Sequence, residues 1–224
     1  MAILAAELLH NINSDRKSLL TPIRCNDFTN LDFCSKLKYI PARNSKRIKM
    51  GAIGEPKQVK LFCGIISSNE EIKRKSFEKL EEELGKIDLI SDMMPFDFSK
   101  YYNHEMGDNL KRFWISFEKL VSAADLAEIK VFTNSIENSS AIDNKRKINI
   151  DPGYIAPANV ILATTKDYSH RIYLKKGIYG EVTTIYQKNS YIKLPWSYPD
   201  YLSPIAVEFL LKARAALMNK VRRK

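Results

Sequence analysis

The stretch "KINIDPGYI", residues 147–155, decides how this chain is read. Ile148 and Ile150 alternate with Asn149 and Asp151, the period-two pattern of a strand with one buried face. Asp151-Pro152-Gly153-Tyr154 then fits a type II turn, with Pro at its second position and Gly at its third. Asp151, at the first position, can bond the turn's own backbone. The expectation is a strand at "KINID", a turn directly after it, and Asn149 and Asp151 projecting from one face.

Toward the N-terminus, "VKLFCGIIS" (59–67) is apolar on both faces, as in a strand covered on both sides. Ser68 and Glu71 have capping-box spacing. Phe77, Leu80, Leu84 and Ile87 recur at helical intervals and predict an amphipathic helix over 69–85, ending near Gly85. "IDLISDMMPFDF" reads as a second strand and "LKRFWISFEKL" as a third. The connection "SKYYNHEMGDN" is longer than a tight turn needs. Ser122 caps a second helix whose inner face carries Leu126, Ile129, Thr133 and Ile136.

With "KINID" as the fourth strand, the order is β-α-β-β-α-β, the split pattern of a ferredoxin-like sandwich. Past it, 159–165, 171–175 and 178–186 are strand-like, followed by "YIKL" and the aromatic turn "PWSYPDY". A closing helix starts near 204, with Ser203 as cap and Pro204 at its first position. The expected fold class is α+β: a ferredoxin-like core extended by an antiparallel β-meander and a C-terminal helix.

One hairpin register is legible. A three-residue loop with Gly in the left-handed conformation suits Lys175-Lys176-Gly177. Leu174 then faces Ile178, Tyr173 faces Tyr179, Ile172 faces Gly180, and Arg171 faces Glu181. Aromatic meets aromatic and opposite charges meet on one face. A two-residue loop would oppose Arg171 to Val182 instead.

Composition bounds the rest. The chain has 224 residues, 45% hydrophobic and 28% charged, enough for a packed core. No run of eighteen apolar residues exists, and the start lacks the basic residue of a secretory signal. Three cysteines, Cys25, Cys34 and Cys63, with no C-x-x-C spacing read as free thiols in a reducing cytoplasm. The net charge of +10 is unevenly spread. Nine Lys/Arg against four Asp/Glu give +5 over residues 1–49, and Lys220, Arg222, Arg223 and Lys224 give +4. Residues 50–219 therefore carry only +1. Three parts follow: an extension and linker over 1–57, a single domain over 58–219 and a basic tail over 220–224. Met50 could itself begin a complete protein. The basic ends suit weak, salt-sensitive RNA contact more than a phosphate-tracking groove.

The blocks "VKLFCGIIS", "MPFDFSKYYNHEMGDNLKRFWISFEKL", "IKVFTNSIE", "NIDPGYI", "LATTKDYSHRIYLKKGIYGEVT" and "LPWSYPDY" occur in one order. They resemble the bacterial and archaeal family called domain of unknown function 4416, over about residues 56–215. The resemblance implies no established activity. Some members of that family carry a GTP-binding name. A phosphate loop needs G-x-x-x-x-G-K-[ST], and no glycine here begins one. In "TTKDY", Asp167 follows Lys166 directly, one position too early for the guanine-reading N/T-K-x-D pattern.

Candidate residues come from loops, strand ends and one helix face. His104 and Glu105 sit in the long connection, with Tyr101, Tyr102 and Asp108. Lys130, Asn134 and Glu137 fall at i, i+4 and i+7 on one helical face, away from the apolar one. A solvated face is one reading of them, and contact with a phosphate or carboxylate is the other. Glu181, Asp151 and His104 are the candidates for proton transfer. Arg171, Arg146, Lys130, Asn134, Asn149, His170 and Tyr173 are the candidates for ligand binding, and no metal is expected. The resulting expectation is a pocket for an anionic, phosphorylated or nucleotide-like small molecule. An RNA- or ribosome-associated module and a non-catalytic assembly protein are the alternatives.

Overall fold

The computed structural model describes residues 53–98 and 102–222. The extension to residue 52, Tyr101 of the long connection, and Arg223 and Lys224 of the basic tail lie outside the described residues.

Strand β1 (Val59–Ser67) is buried at all of its nine positions. Its two faces serve two layers. Leu61, Cys63 and Ile65 join Leu80 and Leu84 of helix α1 (Glu70–Leu84) and Ile129 and Ile136 of helix α3 (Leu126–Ser139). Phe62, on the other face, packs with Phe209, Leu210 and Ala213 of helix α4 (Pro204–Arg222). The apolar-on-both-faces reading of "VKLFCGIIS" thus has its physical cause in helices above and below the sheet. Cys63 is a buried free thiol, and burial pushes its pKa up. Among the described residues no helix is long and apolar enough to cross a membrane.

The remaining strands are β2 (Ile87–Ile90), β3 (Met94–Pro95), β4 (Lys111–Val121), β5 (Ile148–Ile155), β6 (Asn159–Thr164), β7 (Arg171–Lys175), β8 (Ile178–Gln187) and β9 (Ser190–Ile192). They form one sheet in the order β2-β4-β1-β5-β6-β8-β7, with β3 on β4 and β9 on β8. Every pairing is antiparallel. The fold is α+β, with a C-terminal helix. A short helix α2 (Asn103–Met106) occupies the long connection before β4.

Several local expectations change. The first helix is capped by Asn69 and not Ser68, since the Asn69 side chain accepts the Ile72 N–H. The second expected strand breaks into β2 and β3. The sheet continues past β5, but not as a meander: β8 lies between β6 and β7. Burial explains that order. β8 is long and largely buried, whereas β7 is short and mostly exposed, which suits an edge. The β7–β8 register pairs Arg171 with Glu181, Ile172 with Gly180 and Tyr173 with Tyr179, as expected. The turn itself is tighter. Lys175 pairs with Ile178, the irregularity falls at Leu174, and Lys176 and Gly177 both have positive φ (54° and 73°). That is a two-residue type I′ turn.

The larger correction concerns Asp151-Pro152-Gly153-Tyr154. No turn occurs there, because β5 runs unbroken from Ile148 to Ile155. Gly153 is needed for closeness rather than for a left-handed φ. A Cβ there would lie 2.5 Å from the Ile161 carbonyl oxygen, 2.8 Å from Leu162 Cδ2 and 2.9 Å from Phe62 Cε1. Gly153→Ala must therefore push β6 away from β5. A loss of about 2–3 kcal/mol is expected in urea unfolding, in the upper range for overpacking because backbone has to move.

Candidate functional site

The site begins where the β5–β6 ladder stops. Along a strand, successive N–H groups point to opposite edges. The Ile150 N–H points away from β1, because Glu137 Oε1 accepts it at 2.6 Å. Two residues on, that outward position belongs to Pro152, which has no N–H to give β6. β6 pairs with β5 only at Gly153, Tyr154 and Ile155. The first half of β5 is thus an open edge inside the sheet, and helix α3 satisfies it with side chains. Lys130 Nζ donates to the Ile150 carbonyl at 2.9 Å, while Glu137 takes the N–H of the same residue. Both side chains are buried, so the polar face of α3 is lodged against the sheet rather than solvated.

From this edge runs a chain of alternating charges. Asp200 Oδ2 lies 2.9 Å from Arg112 Nε. Arg112 Nη1 lies 3.6 Å from Asp151 Oδ2, and Asp151 Oδ1 lies 3.6 Å from Lys130 Nζ. Lys130 Nζ is 4.0 Å from Glu137 Oε1, and Glu137 Oε2 is 3.1 Å from Arg146 Nη1. Arg146 ends the chain with two 2.7 Å hydrogen bonds to Glu105. Asn149 bridges it, donating to Asp151 Oδ2 at 2.7 Å and accepting from Arg146 Nη1 at 3.4 Å.

Arg112 is the most confined member, 2% exposed. Gly64 of β1 makes room for it, since a Cβ there would meet Arg112 Nη2 at 2.7 Å and the Tyr201 hydroxyl at 2.6 Å. The guanidinium carbon stands 5.0 Å from the ring centroids of both Trp114 and Tyr201. Its Nε is close to Asp200 but poorly aligned for a hydrogen bond, and Nη1 has no hydrogen-bond partner among the described residues. Burial pulls its pKa down, but the surrounding Tyr201, Asp200 and Asp151 outweigh this and raise it.

The opposite wall comes from β8. Glu181 is 2% exposed and holds its position through one oxygen. Oε2 accepts from Arg171 Nε at 2.8 Å and lies 3.1 Å from His170 Nε2. Arg171 is fixed in turn by the Lys166 carbonyl (3.0 Å) and the Tyr198 hydroxyl (2.8 Å). His170 stacks on Trp196, with centroids 4.9 Å apart and planes at 12°. Glu181 Oε1 has no hydrogen-bond partner among the described residues.

These walls enclose a cleft of about 610 Å³, a size usual for small-molecule sites. Asp151, Glu181, Arg146, Lys130, Asn134 and Asn149, all singled out from the sequence, line it. Arg171 and His170 stand behind Glu181. Tyr173 is 58% exposed, meets only the Tyr179 ring among the aromatic side chains of the described residues, and is not part of the cleft lining. His104 falls in α2, and its side chain lies outside the described residues; its neighbour Glu105 is the group that reaches Arg146. Arg146 and Arg171 thus orient carboxylates and do not offer open guanidiniums. Among the described residues no three His, Cys, Asp or Glu side chains stand at metal-binding separation.

Sequence reading missed Arg112, Asp200 and Tyr201. Arg112 did carry a signal. Along β4 it shares the face of Trp114 and Ser116, so it places a charge on a buried face of an inner strand. Phe96 and Phe98, with ring centroids 6.0 Å apart, and Tyr102 form the aromatic end of the cleft. Burial raises the pKa of the Tyr102, Tyr198 and Tyr201 hydroxyls.

Two carboxyls on Arg146 are shifted in opposite directions. Burial pushes Glu137 up, while the Arg146 hydrogen bond holds Glu105 down. A depressed carboxyl contributes stability above its unfolded value, near 4.5, and loses it as pH falls through the folded value. Glu105→Gln should therefore cost about 1 kcal/mol at neutral pH, discounted for partial exposure. Urea unfolding of the two proteins should converge as pH drops below 4.5. Arg112→Met leaves Asp200 buried without its counter-charge and should cost about 3–5 kcal/mol. Adding Asp200→Leu should restore much of that loss in the same assay.

No significant match to a curated protein or to a solved structure is found. A family model described as "Domain of unknown function (DUF4416)" matches residues 57–216, which include every residue lining the cleft. The chain belongs to the domain of unknown function 4416 family.

Proposed function

We propose that the cleft binds a phosphorylated or nucleotide-like small molecule. The observation that carries this reading is the convergence of buried, charged side chains from α3, β4, β5 and β8 on one cavity with an aromatic end. Phe96, Phe98 and Tyr102 suit the face of a base or sugar. Thr164, Thr165, Lys166 and Asn134 also line the cleft, and their side chains suit a phosphate. Glu181 and Asp151 are the groups best placed for proton transfer to such a ligand, with Glu137 a third.

The reading takes the first half of the fold as ferredoxin-like. The order β2-β4-β1-β5, with α1 and α3 on one face, supports that name. It also takes the protein as cytoplasmic, which the buried free thiol of Cys63 favours.

The test is a thermal-shift screen over nucleotides and sugar phosphates. A true ligand at one hundred times its Kd adds about 2.7 kcal/mol, or roughly 5–10 °C for a domain of this size. The Asn134 side chain makes no hydrogen bond among the described residues, so Asn134→Ala should leave the basal Tm nearly unchanged. It should weaken the ligand about tenfold. No shift with any anionic ligand sinks the proposal.

A second reading rests on the aromatic plate beside the cleft. Tyr168 is 65% exposed, and Trp196 and Tyr198 are 38% and 40% exposed. Such faces stack on unpaired bases. RNA affinity that falls steeply with salt, and falls again in Trp196→Ala, would favour it. Affinity unchanged by Trp196→Ala would count against it.

A further inference from the structure

We propose, on the footing that the cleft holds a small molecule, that the part of it lodged against β8 and β4 is an uncharged polar edge. That edge carries an N–H or O–H donor for Glu181 Oε1 and an acceptor for Arg112 Nη1. Heterocyclic bases and sugar hydroxyls have this chemistry, and a phosphate does not.

Two buried groups carry the inference. Glu181 and Arg112 are each 2% exposed, and both line the cleft. Glu181 has one oxygen engaged and leaves Oε1 without a hydrogen-bond partner among the described residues, while on Arg112 both Nη1 and Nε lack one, Nε being ion-paired with Asp200 at 2.9 Å. Buried polar atoms are normally satisfied, and leaving one unmet costs its full desolvation. The other oxygen of Glu181 is locked by Arg171 and His170, and Arg171 is locked by Tyr198, so the carboxylate cannot turn to satisfy itself. Arg112 is likewise held between Trp114 and Tyr201 over Gly64, with Asp151 Oδ2 too distant, at 3.6 Å, for a hydrogen bond. The free acceptor and the free donor are therefore preset. A phosphate oxygen at Glu181 Oε1 would meet like charge without a proton to share, so the anionic end belongs away from that oxygen.

The substitution Glu181→Gln sharpens the test. Its side-chain oxygen stays with Arg171, which only donates, so its NH₂ takes the place of Oε1. The cleft then presents a donor where it presented an acceptor.

The experiment is calorimetric titration with matched probes. Guanosine monophosphate is compared with inosine monophosphate, which lacks an exocyclic amine. Adenosine monophosphate is compared with its analogue lacking the exocyclic amine, and ribose phosphate with deoxyribose phosphate. The first two pairs report a base edge and the third a sugar hydroxyl. The expected result is one pair separated by about 100-fold or more on the wild type, as a site built around a hydrogen bond rejects a partner without it. Glu181→Gln should bring that pair within about threefold. Equal binding within all pairs, or a separation that survives in Glu181→Gln, overturns the inference while leaving the phosphorylated-ligand reading intact. If Glu181→Gln does not fold, the wild-type comparison decides alone. Acetamide and urea, uncharged donors without phosphate, are titrated alongside by NMR. If they bind in a Glu181-dependent way and no phosphorylated probe binds, the ligand class proposed above fails and this inference stands. If neither set binds in that way, this inference falls.

Discussion

Arg112 sits at 2% exposure on a sheet face shared with Phe62 and Trp114 and covered by Tyr201, and much of the surrounding structure answers that one buried charge. Removing a guanidinium from water costs several kcal/mol unless carboxylates and hydrogen bonds compensate. Asp200 and Asp151 supply the charge from two directions, a glycine in β1 supplies the room, and two aromatic rings supply a polarisable lining. The compensation is incomplete in hydrogen bonds, since Nη1 has none among the described residues. A purely structural arginine would be expected to use its donors fully. Arg112 lines the cleft, which is therefore the place from which a partner for this shortfall could come.

The second constraint is backbone, and it sits at Pro152. A proline inside a sheet removes one ladder bond, and that loss is tolerated where pairing ends. Here the end is internal. β6 leaves β5 at Gly153, and helix α3 reaches in with Lys130 and Glu137 to serve Ile150 in its place. The same two side chains then serve twice, since they also stand in the ionic chain between Asp151 and Arg146. Opening the sheet and charging the cleft are thus one arrangement, and Gly153 and Pro152 mark its boundary from adjacent positions.

That arrangement explains which parts were legible in the sequence. Both helical stripes, the doubly apolar β1 and the Arg171–Glu181 register follow from local periodicity, and local periodicity is what packing reads. The Pro-Gly pair misled for a physical reason. Turn chemistry asks only what these residues permit, whereas here the proline ends a ladder and the glycine admits a neighbouring carbonyl at close range. Neither demand is visible without β6. Lys130 and Glu137 were legible as one helical face, but whether that face meets water or sheet depends on an edge created far along the chain. Arg112 was readable in principle as a charge on a buried strand face, and Asp200 only once the final turn was known to fold back over it.

The two sides of the cleft differ in how their charges are held, and the difference bears on what the cleft can do. Along β5 and α3 most of the cations are saturated: Arg146 by Glu105 and Glu137, Lys130 by a backbone carbonyl and two carboxylates. Such a wall is electrostatically stiff and offers little to a new anion. At β8 the order is reversed. The cation Arg171 is spent in orienting Glu181, and the carboxylate keeps an oxygen in reserve. Arg112, between the two, keeps a donor in reserve. Unmet capacity therefore includes an acceptor on Glu181 and a donor on Arg112, fixed by packing before any ligand arrives, and preorganisation of that kind favours selectivity over bulk electrostatic attraction. The near-neutral body of the chain agrees with this, since a cleft that relied on net positive charge would leave a larger imprint on the composition of residues 50–219.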